Sequence, residues 1–243
     1  KMASPSAEYT LVQCHFHWGS EHTVGGRQMD MVAHCVHTKD GVDGMYGVLG
    51  VLYEIGGFFN DFLATFENYL PDSTLSHRRL SDTLYLLNYD DLYAGLALDE
   101  YWGYSGSLTT PPCTEAVDWF VLQNPASLSQ AQFNKLQAKM SYAVDKDGNT
   151  IGNFRPPQPL NGRDIVGCTE TELYPYNAHL WGTLVHDSNV VCYQGKAQSP
   201  VDLPFCDEAD DMLPAITTSW GSHTVELVNT GHSINANLAM TPG

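Results

Sequence analysis

The sequence predicts a mainly β domain, with a large central twisted and mostly antiparallel sheet and helices at its periphery. Three observations lead there. Residues 9–18, 31–37, 46–55 and 116–121 are rich in Val, Tyr, Trp and Leu with apolar alternation, the mark of half-buried strands. Clusters such as Asp40-Gly41-Val42-Asp43-Gly44 punctuate those runs as turns. Helical spacing occurs at 58–70 and 127–143, and the first window places Phe58, Phe59, Phe62, Leu63 and Phe66 on roughly one face. Residues 202–213 read as an acidic loop.

Size and composition set the outer bounds. A chain of 243 residues with 43% hydrophobic content can bury one sizeable core, common for a large β architecture. No run of about 18 apolar residues is present, so no membrane span is expected. With 28 acidic against 11 basic residues, the formal net charge of -17 makes nucleic acid and anionic membranes poor partners. Acidic, lysine-poor surfaces also suit high salt, where self-repulsion is screened, so salt tolerance stands beside ordinary secreted acidity as an expectation.

The segment Gln13-Cys14-His15-Phe16-His17-Trp18 carries the strongest chemical signal. On an extended strand His15 and His17 point the same way, about 7 Å apart, close enough to share one ion. A neighbouring antiparallel strand carrying His34, in Met31-Val32-Ala33-His34-Cys35-Val36-His37, would close a triangle of three imidazoles. Three neutral imidazoles suit zinc, and a three-ligand site keeps a position for water, the catalytic arrangement. An isolated H-x-H is more often a packing coincidence, so the assignment needs support from elsewhere in the chain. By the same alternation Cys14 and Cys35 face the opposite side of their strands and are expected as buried free thiols.

That support comes from Ser107-Leu108-Thr109-Thr110-Pro111-Pro112, from Gln198-Ser199-Pro200-Val201-Asp202, and from His232 in Asn229-Thr230-Gly231-His232-Ser233-Ile234-Asn235. Together with the histidine strand these resemble the α-class carbonic anhydrases over nearly the whole chain. The order differs from the family's. Asn153-Phe154-Arg155-Pro156-Pro157-Gln158-Pro159-Leu160 resembles the family's ending, yet Trp181-Gly182, the Gln-Ser-Pro segment and His232 follow it. The chain therefore reads as a single circularly permuted domain over 1–243: residues 1–165 match the family's central and C-terminal part, 166–176 form the joint, and 177–243 match its N-terminal part. A stretch cut from two tandem copies would give the same order. In the permuted reading residues 1–6 and 241–243 fall in a surface turn.

The resemblance implies zinc-dependent, reversible hydration of carbon dioxide to bicarbonate and a proton by zinc-bound hydroxide. It makes His15, His17 and His34 the Zn²⁺ ligands. Thr109 would accept a hydrogen bond from the hydroxide and donate its own to Glu21, an order that follows from a carboxylate being able only to accept. Taken alone, Glu21 reads as a surface charge and Thr109 as a turn residue. Val36, Val48, Leu108, Val117 and Trp119 match the apolar wall that receives carbon dioxide, with Thr110 beside it, although all five would also serve as ordinary core. His232 matches the proton shuttle, a role suited to an exposed imidazole near pH 7. Gln13, His22 and Asn235 match the polar groups behind the ligands and along the water network. The resemblance also pairs Cys113 with Cys192, and hence implies a secreted or otherwise oxidising compartment; the pairing of Cys168 with Cys206 stays open.

One position departs from the pattern. The family has a glutamate two residues before the third histidine, and here that residue is Val32, which accepts no hydrogen bond. His34 is therefore expected to be a less anchored ligand. Two functions from different classes follow: an active zinc hydratase, or a carbonic anhydrase-like binding or storage domain that no longer turns over. All three ligands, Thr109, Glu21 and His232 are present, which favours the hydratase.

Overall fold

The computed structural model of the chain describes residues 1–4, 6–69, 78–79, 85–140, 152–167, 190–206, 213–229 and 233–239. Among these the elements run β1 (Met2–Ser4), β2 (Ala7–Trp18), β3 (Thr23–Val24), β4 (Arg27–Gln28), β5 (Met31–Lys39), β6 (Tyr46–Ile55), α1 (Asp61–Tyr69), β7 (Arg78–Arg79) and β8 (Tyr85–Asn88). A 3-10 turn at Tyr89–Tyr93 leads to β9 (Tyr101–Gly106), β10 (Val117–Leu122), β11 (Ala126–Leu128) and α2 (Gln130–Met140). The remainder comprises α3 (Val190–Gln194), β12 (Asp202–Leu203), β13 (Thr217–Thr218), β14 (Ser222–Asn229) and β15 (Ile234–Leu238). The main sheet has the order β7-β14-β15-β2-β5-β6-β10-β9 with short strands at its margins, and β12-β3-β4 form a small second sheet. In the main sheet pairing is antiparallel except where β10 and β11 run parallel to β6, so that sheet is mixed; in the small sheet β12 runs parallel to β3.

Alternation gives this sheet two differently used faces. From β5 and β6, Met31, Ala33, Cys35, Leu49, Val51 and Tyr53 enter one core, which α1 covers with Phe62, Leu63 and Phe66. Val32, Val48 and Leu52 point the other way, into a second apolar cluster with Trp102, Tyr104, Val117 and Trp119. Strand β2 keeps to this scheme only through a β-bulge between Leu11 and Gln13. Tyr9 and Leu11 are core residues ahead of the bulge and Cys14, Phe16 and Trp18 after it. The surplus residue, Val12, is 42% exposed. The change of parity turns Gln13, His15 and His17 to the side opposite the α1-covered core.

Several expectations are corrected. Phe58 and Phe59 precede α1 and are exposed at 74% and 66%, because the backbone becomes helical only at Asp61. Ser127 lies in β11 beside β6, so the second helix starts at Gln130. Asp202 and Leu203 form β12 instead of a loop. Residues 2–4 form a strand paired with β2 and β13, with Met2 fully buried, where a surface turn was expected. Cys14 and Cys35 are not free thiols: they face each other across β2 and β5 with Cα atoms 4.2 Å apart and are joined as a disulfide. Facing the side opposite the histidines was right, but two cysteines at one cross-strand pair can bond. The pairing of Cys113 with Cys192 is present. Cys206 is disulfide-bonded, whereas Cys168, like residues 168–176 of the expected joint and residues 241–243, lies outside the described residues.

His37 belongs to the α1-covered core. Its Nδ1–H donates to the Gly47 carbonyl (3.2 Å) and its ring lies 5.2 Å from that of Trp220. Burial pushes its imidazole down to about 4. Between about pH 6.5 and 4 the unfolded chain binds a proton that the folded chain refuses, so stability falls as the pH drops through that window and the effect ends below it. The variant His37→Gln should flatten the acid limb there by up to about 1.4 kcal/mol per pH unit, measured by urea denaturation at pH 7, 5.5 and 4.5. An unchanged limb would mean that His37 is not its source.

Candidate metal centre

The register between β2 and β5 sets His15 directly opposite His34, with His17 two residues along the same face. Candidate ligand atoms of His15, His17 and His34 all lie within 4.8 Å of one another. His15 Nδ1 is 3.0 Å from Gln13 Oε1, and His17 Nδ1 is 2.7 Å from the Asn153 carbonyl oxygen. Neither oxygen has a proton to give, so both rings donate from Nδ1 and keep the Nε2 lone pair for another partner. Burial, reinforced by the neighbouring histidines, holds His34 well below the usual imidazole range and therefore neutral. Three imidazoles with candidate ligand atoms this close together are a donor set that suits zinc. The residues present fit that ion.

The turn after β2 brings two more groups inside. Gly19 adopts φ +70, with the Phe154 ring packed where a side chain would stand, and this lets the chain reverse out of β2. Ser20 then locks the turn: its Oγ donates to the His22 carbonyl (2.6 Å) and accepts from Met29 N (2.9 Å). Glu21 and His22 are left fully buried. Glu21 Oε1 accepts from Arg155 N (2.9 Å), while Oε2 has no hydrogen-bond partner and lies 3.6 Å from His17 Nε2 and 3.7 Å from His34 Nδ1. His22 Nε2 is 2.7 Å from the Tyr104 hydroxyl, and burial pushes this imidazole down to about 3.

Thr109 is buried on the loop after β9, which two reciprocal bonds tie to the second half of the chain: Ser107 N donates to Ser199 Oγ and Ser199 N to Ser107 Oγ. Trp119 Nε1 donates to the Ser107 carbonyl (3.1 Å) and fixes the same loop from below. No hydrogen bond joins Thr109 to Glu21 among the described residues. Val48, Val117 and Trp119 are buried in one cluster, with Val36 and Leu108 packed against it, so all five members of the expected apolar wall come together. Thr110 is exposed beside them. Asn235 on β15 pairs with His15 on β2, and its Oδ1 accepts from Ser233 Oγ (2.7 Å). His232 lies outside the described residues.

Val32 occupies the place behind His34 and is fully buried, with His17 and Leu52 as its cross-strand neighbours. His34 Nε2 is accordingly buried without a hydrogen-bond partner.

Sequence reasoning did not single out Arg155. Its buried guanidinium donates to the carbonyls of Ser199 and Cys192 (2.7 Å each) and to Gln198 Oε1 (3.1 Å), and burial lowers it to about 10. A lone arginine between Phe154 and two prolines was the available signal, since such a setting leaves few exposed neighbours.

Residues 1–168 match the eukaryotic-type carbonic anhydrase family. Carbonic anhydrase 7 of Mus musculus is 35% identical over 174 residues, covering 65% of this chain and 64% of that protein. The carbonic anhydrase of Klebsiella pneumoniae is 39% identical over 162 residues, covering 65% and 57%. Among solved structures, the Photobacterium profundum α-carbonic anhydrase aligns with a TM-score of 0.51 at 40% identity over 66% of each chain. The Thermovibrio ammonificans α-carbonic anhydrase, solved in complex with sulfanilamide, aligns with a TM-score of 0.53 at 35% identity over 66% of this chain and 64% of that one. The chain thus spans less than two thirds of the length of the curated relatives it matches. With the family match running through 168 of its 243 residues, the chain belongs to the eukaryotic-type, or α-type, carbonic anhydrase family.

Proposed function

We propose that this chain is a zinc-dependent hydratase that interconverts carbon dioxide with bicarbonate and a proton. The observation that carries the reading is the cluster of three imidazoles, His15, His17 and His34, beside an apolar wall. When bound, zinc supplies a Lewis acid that makes water a nucleophile near neutral pH. The chain supplies the rest. Gln13 and the Asn153 carbonyl hold His15 and His17 in the tautomer that presents Nε2. Thr109 orients the attacking oxygen by accepting a hydrogen bond from it, and Glu21 accepts the hydrogen bond of the threonine hydroxyl on Oε2, the oxygen that has no other hydrogen-bond partner.

Val36, Val48, Leu108, Val117 and Trp119 give carbon dioxide, a small apolar molecule, a site without competing charges. Thr110, Asn235 and His22 lie along the polar side, and His232 carries the released proton to solvent. The disulfides Cys14–Cys35 and Cys113–Cys192 fit an oxidising compartment, and we place the protein outside the reducing cytosol. No described helix is long and apolar enough to cross a membrane.

The permuted order belongs to the same proposal. Residues 1–165 act as the family's central and C-terminal part and 177–243 as its N-terminal part. Support comes from β15 pairing with β2 beside His15, and from Arg155 binding the 192–199 segment, so that residues from both parts surround one site.

Stopped-flow hydration of carbon dioxide tests the reading: turnover should be lost on treatment with a chelator and return with Zn²⁺. Turnover that persists without metal, or none with a full complement of it, would favour the binding domain. Val32→Glu should restore a carboxylate behind His34 and slow zinc release to a chelator by roughly 10- to 100-fold; equal release rates would show that Val32 costs the site nothing. In weak buffer His232→Ala should lower turnover, and added imidazole should restore it; failure of rescue would assign proton transfer to another group.

A further inference from the structure

Two neighbouring ring nitrogens are left unmet in the interior. His34 Nε2 and His22 Nδ1 are both buried with no hydrogen-bond partner, and their rings stand edge to face with centroids 6.0 Å apart. Trp119 walls both rings, at 4.7 Å from His22 and 4.9 Å from His34. Val32, two residues before His34 on the same face of β5, has no polar atom in its side chain. Unmet nitrogens on two rings that pack against each other admit a common explanation.

Their chemistries are complementary. His34 Nδ1 and His17 Nε2 flank the same Glu21 oxygen, at 3.7 and 3.6 Å, so Nδ1 is the His34 nitrogen turned toward the ligand cluster. With Nδ1 engaged there, a neutral His34 carries its proton on Nε2 and is a donor. The Tyr104 hydroxyl gives its one proton to Ser199 Oγ (3.0 Å) and therefore accepts from His22 Nε2 (2.7 Å). His22 is thus protonated on Nε2, and its Nδ1 carries a bare lone pair. Ser199 cannot swing away from this chain, because its Oγ also accepts from Ser107 N. The opposite tautomer of His22 would set lone pair against lone pair at the Tyr104 hydroxyl and an N–H toward the N–H of His34.

We propose that His22 is a positioning residue for the metal centre: its Nδ1 receives the outer proton of His34 through one ordered water, where Val32 provides no acceptor. This rests on the zinc reading of the three histidines. Residues Ser199, Tyr104 and His22 then form a neutral relay from the 190–206 segment to a ligand, and His34 is oriented without a carboxylate behind it.

Histidine ¹⁵N spectra of the full zinc-loaded chain, on material whose zinc content is measured, read the tautomer directly. Protonation of His22 on Nε2 supports the proposal. Protonation on Nδ1 with zinc present overturns it alone, and absence of zinc removes the metal reading and this proposal together. Two variants separate positioning from packing. In His22→Asn the side-chain oxygen falls near the former Nδ1, whereas in His22→Gln the amide falls near Nε2 and keeps only the Tyr104 contact. Zinc release to a chelator should be about 10- to 100-fold faster for His22→Gln and within about threefold of the parent for His22→Asn. Equal release from the two variants would overturn the proposal; if either fails to fold, the spectrum of the unaltered protein decides.

Discussion

The cross-strand pairing of His15 with His34 is the constraint on which the rest of the molecule depends. A triangle of three imidazoles from two strands exists only in one register, since a shift of a single residue turns one strand's set to the other face. Two local features define that register. The bulge at Val12 changes the parity of β2 so that Tyr9 and Leu11 serve the α1-covered core while Gln13, His15 and His17 serve the site. The alternation of β5 then supplies His34 to the site, with Ala33 and Cys35 going to the core. Everything further out supports these strands: β6 and β10 extend the apolar wall, and β15 closes the other edge beside His15.

Around this pairing the interior is polar but sparsely charged. Burial keeps the imidazoles of His22 and His34 neutral, and the buried formal charges beside them are Glu21, with one oxygen on the Arg155 backbone, and the Arg155 guanidinium, held by carbonyls from distant parts of the chain. An array of neutral donors costs little to desolvate compared with buried ions, and it leaves a metal's charge as the dominant field at the site. The acidic surface, with its formal charge of -17, is a separate matter of solubility and has no part in this balance.

Much of the site was legible because its information is local. The shared face of His15 and His17 follows from strand alternation alone, whereas Gln13, two residues before His15, was placed by the family resemblance. His34 needed only the assumption of an antiparallel neighbour. The bulge at Val12 left a trace in the pattern that a reading of the strand as one alternating run passes over: the apolar phase moves from Tyr9 and Leu11 to Cys14, Phe16 and Trp18. Phe58 and Phe59 misled because periodicity does not reveal where a helix begins, and here it begins past both. Cys14 and Cys35 could have been paired from the same register that joins His15 to His34; reading each strand separately hid it. The bonds of Arg155 to Cys192 and Ser199 are contacts over 37 and 44 residues of sequence, and nothing local encodes them. Val32 is the reverse case: a single letter whose effect, an unpartnered nitrogen on His34, was readable beforehand.

The cross-link between Cys14 and Cys35 sits one residue from the His15–His34 pair and on the far side of the sheet. A covalent rung there forbids sliding of one strand along the other. The three rings therefore owe their alignment to the backbone and the cross-link, so that an arriving ion would meet a template already in shape.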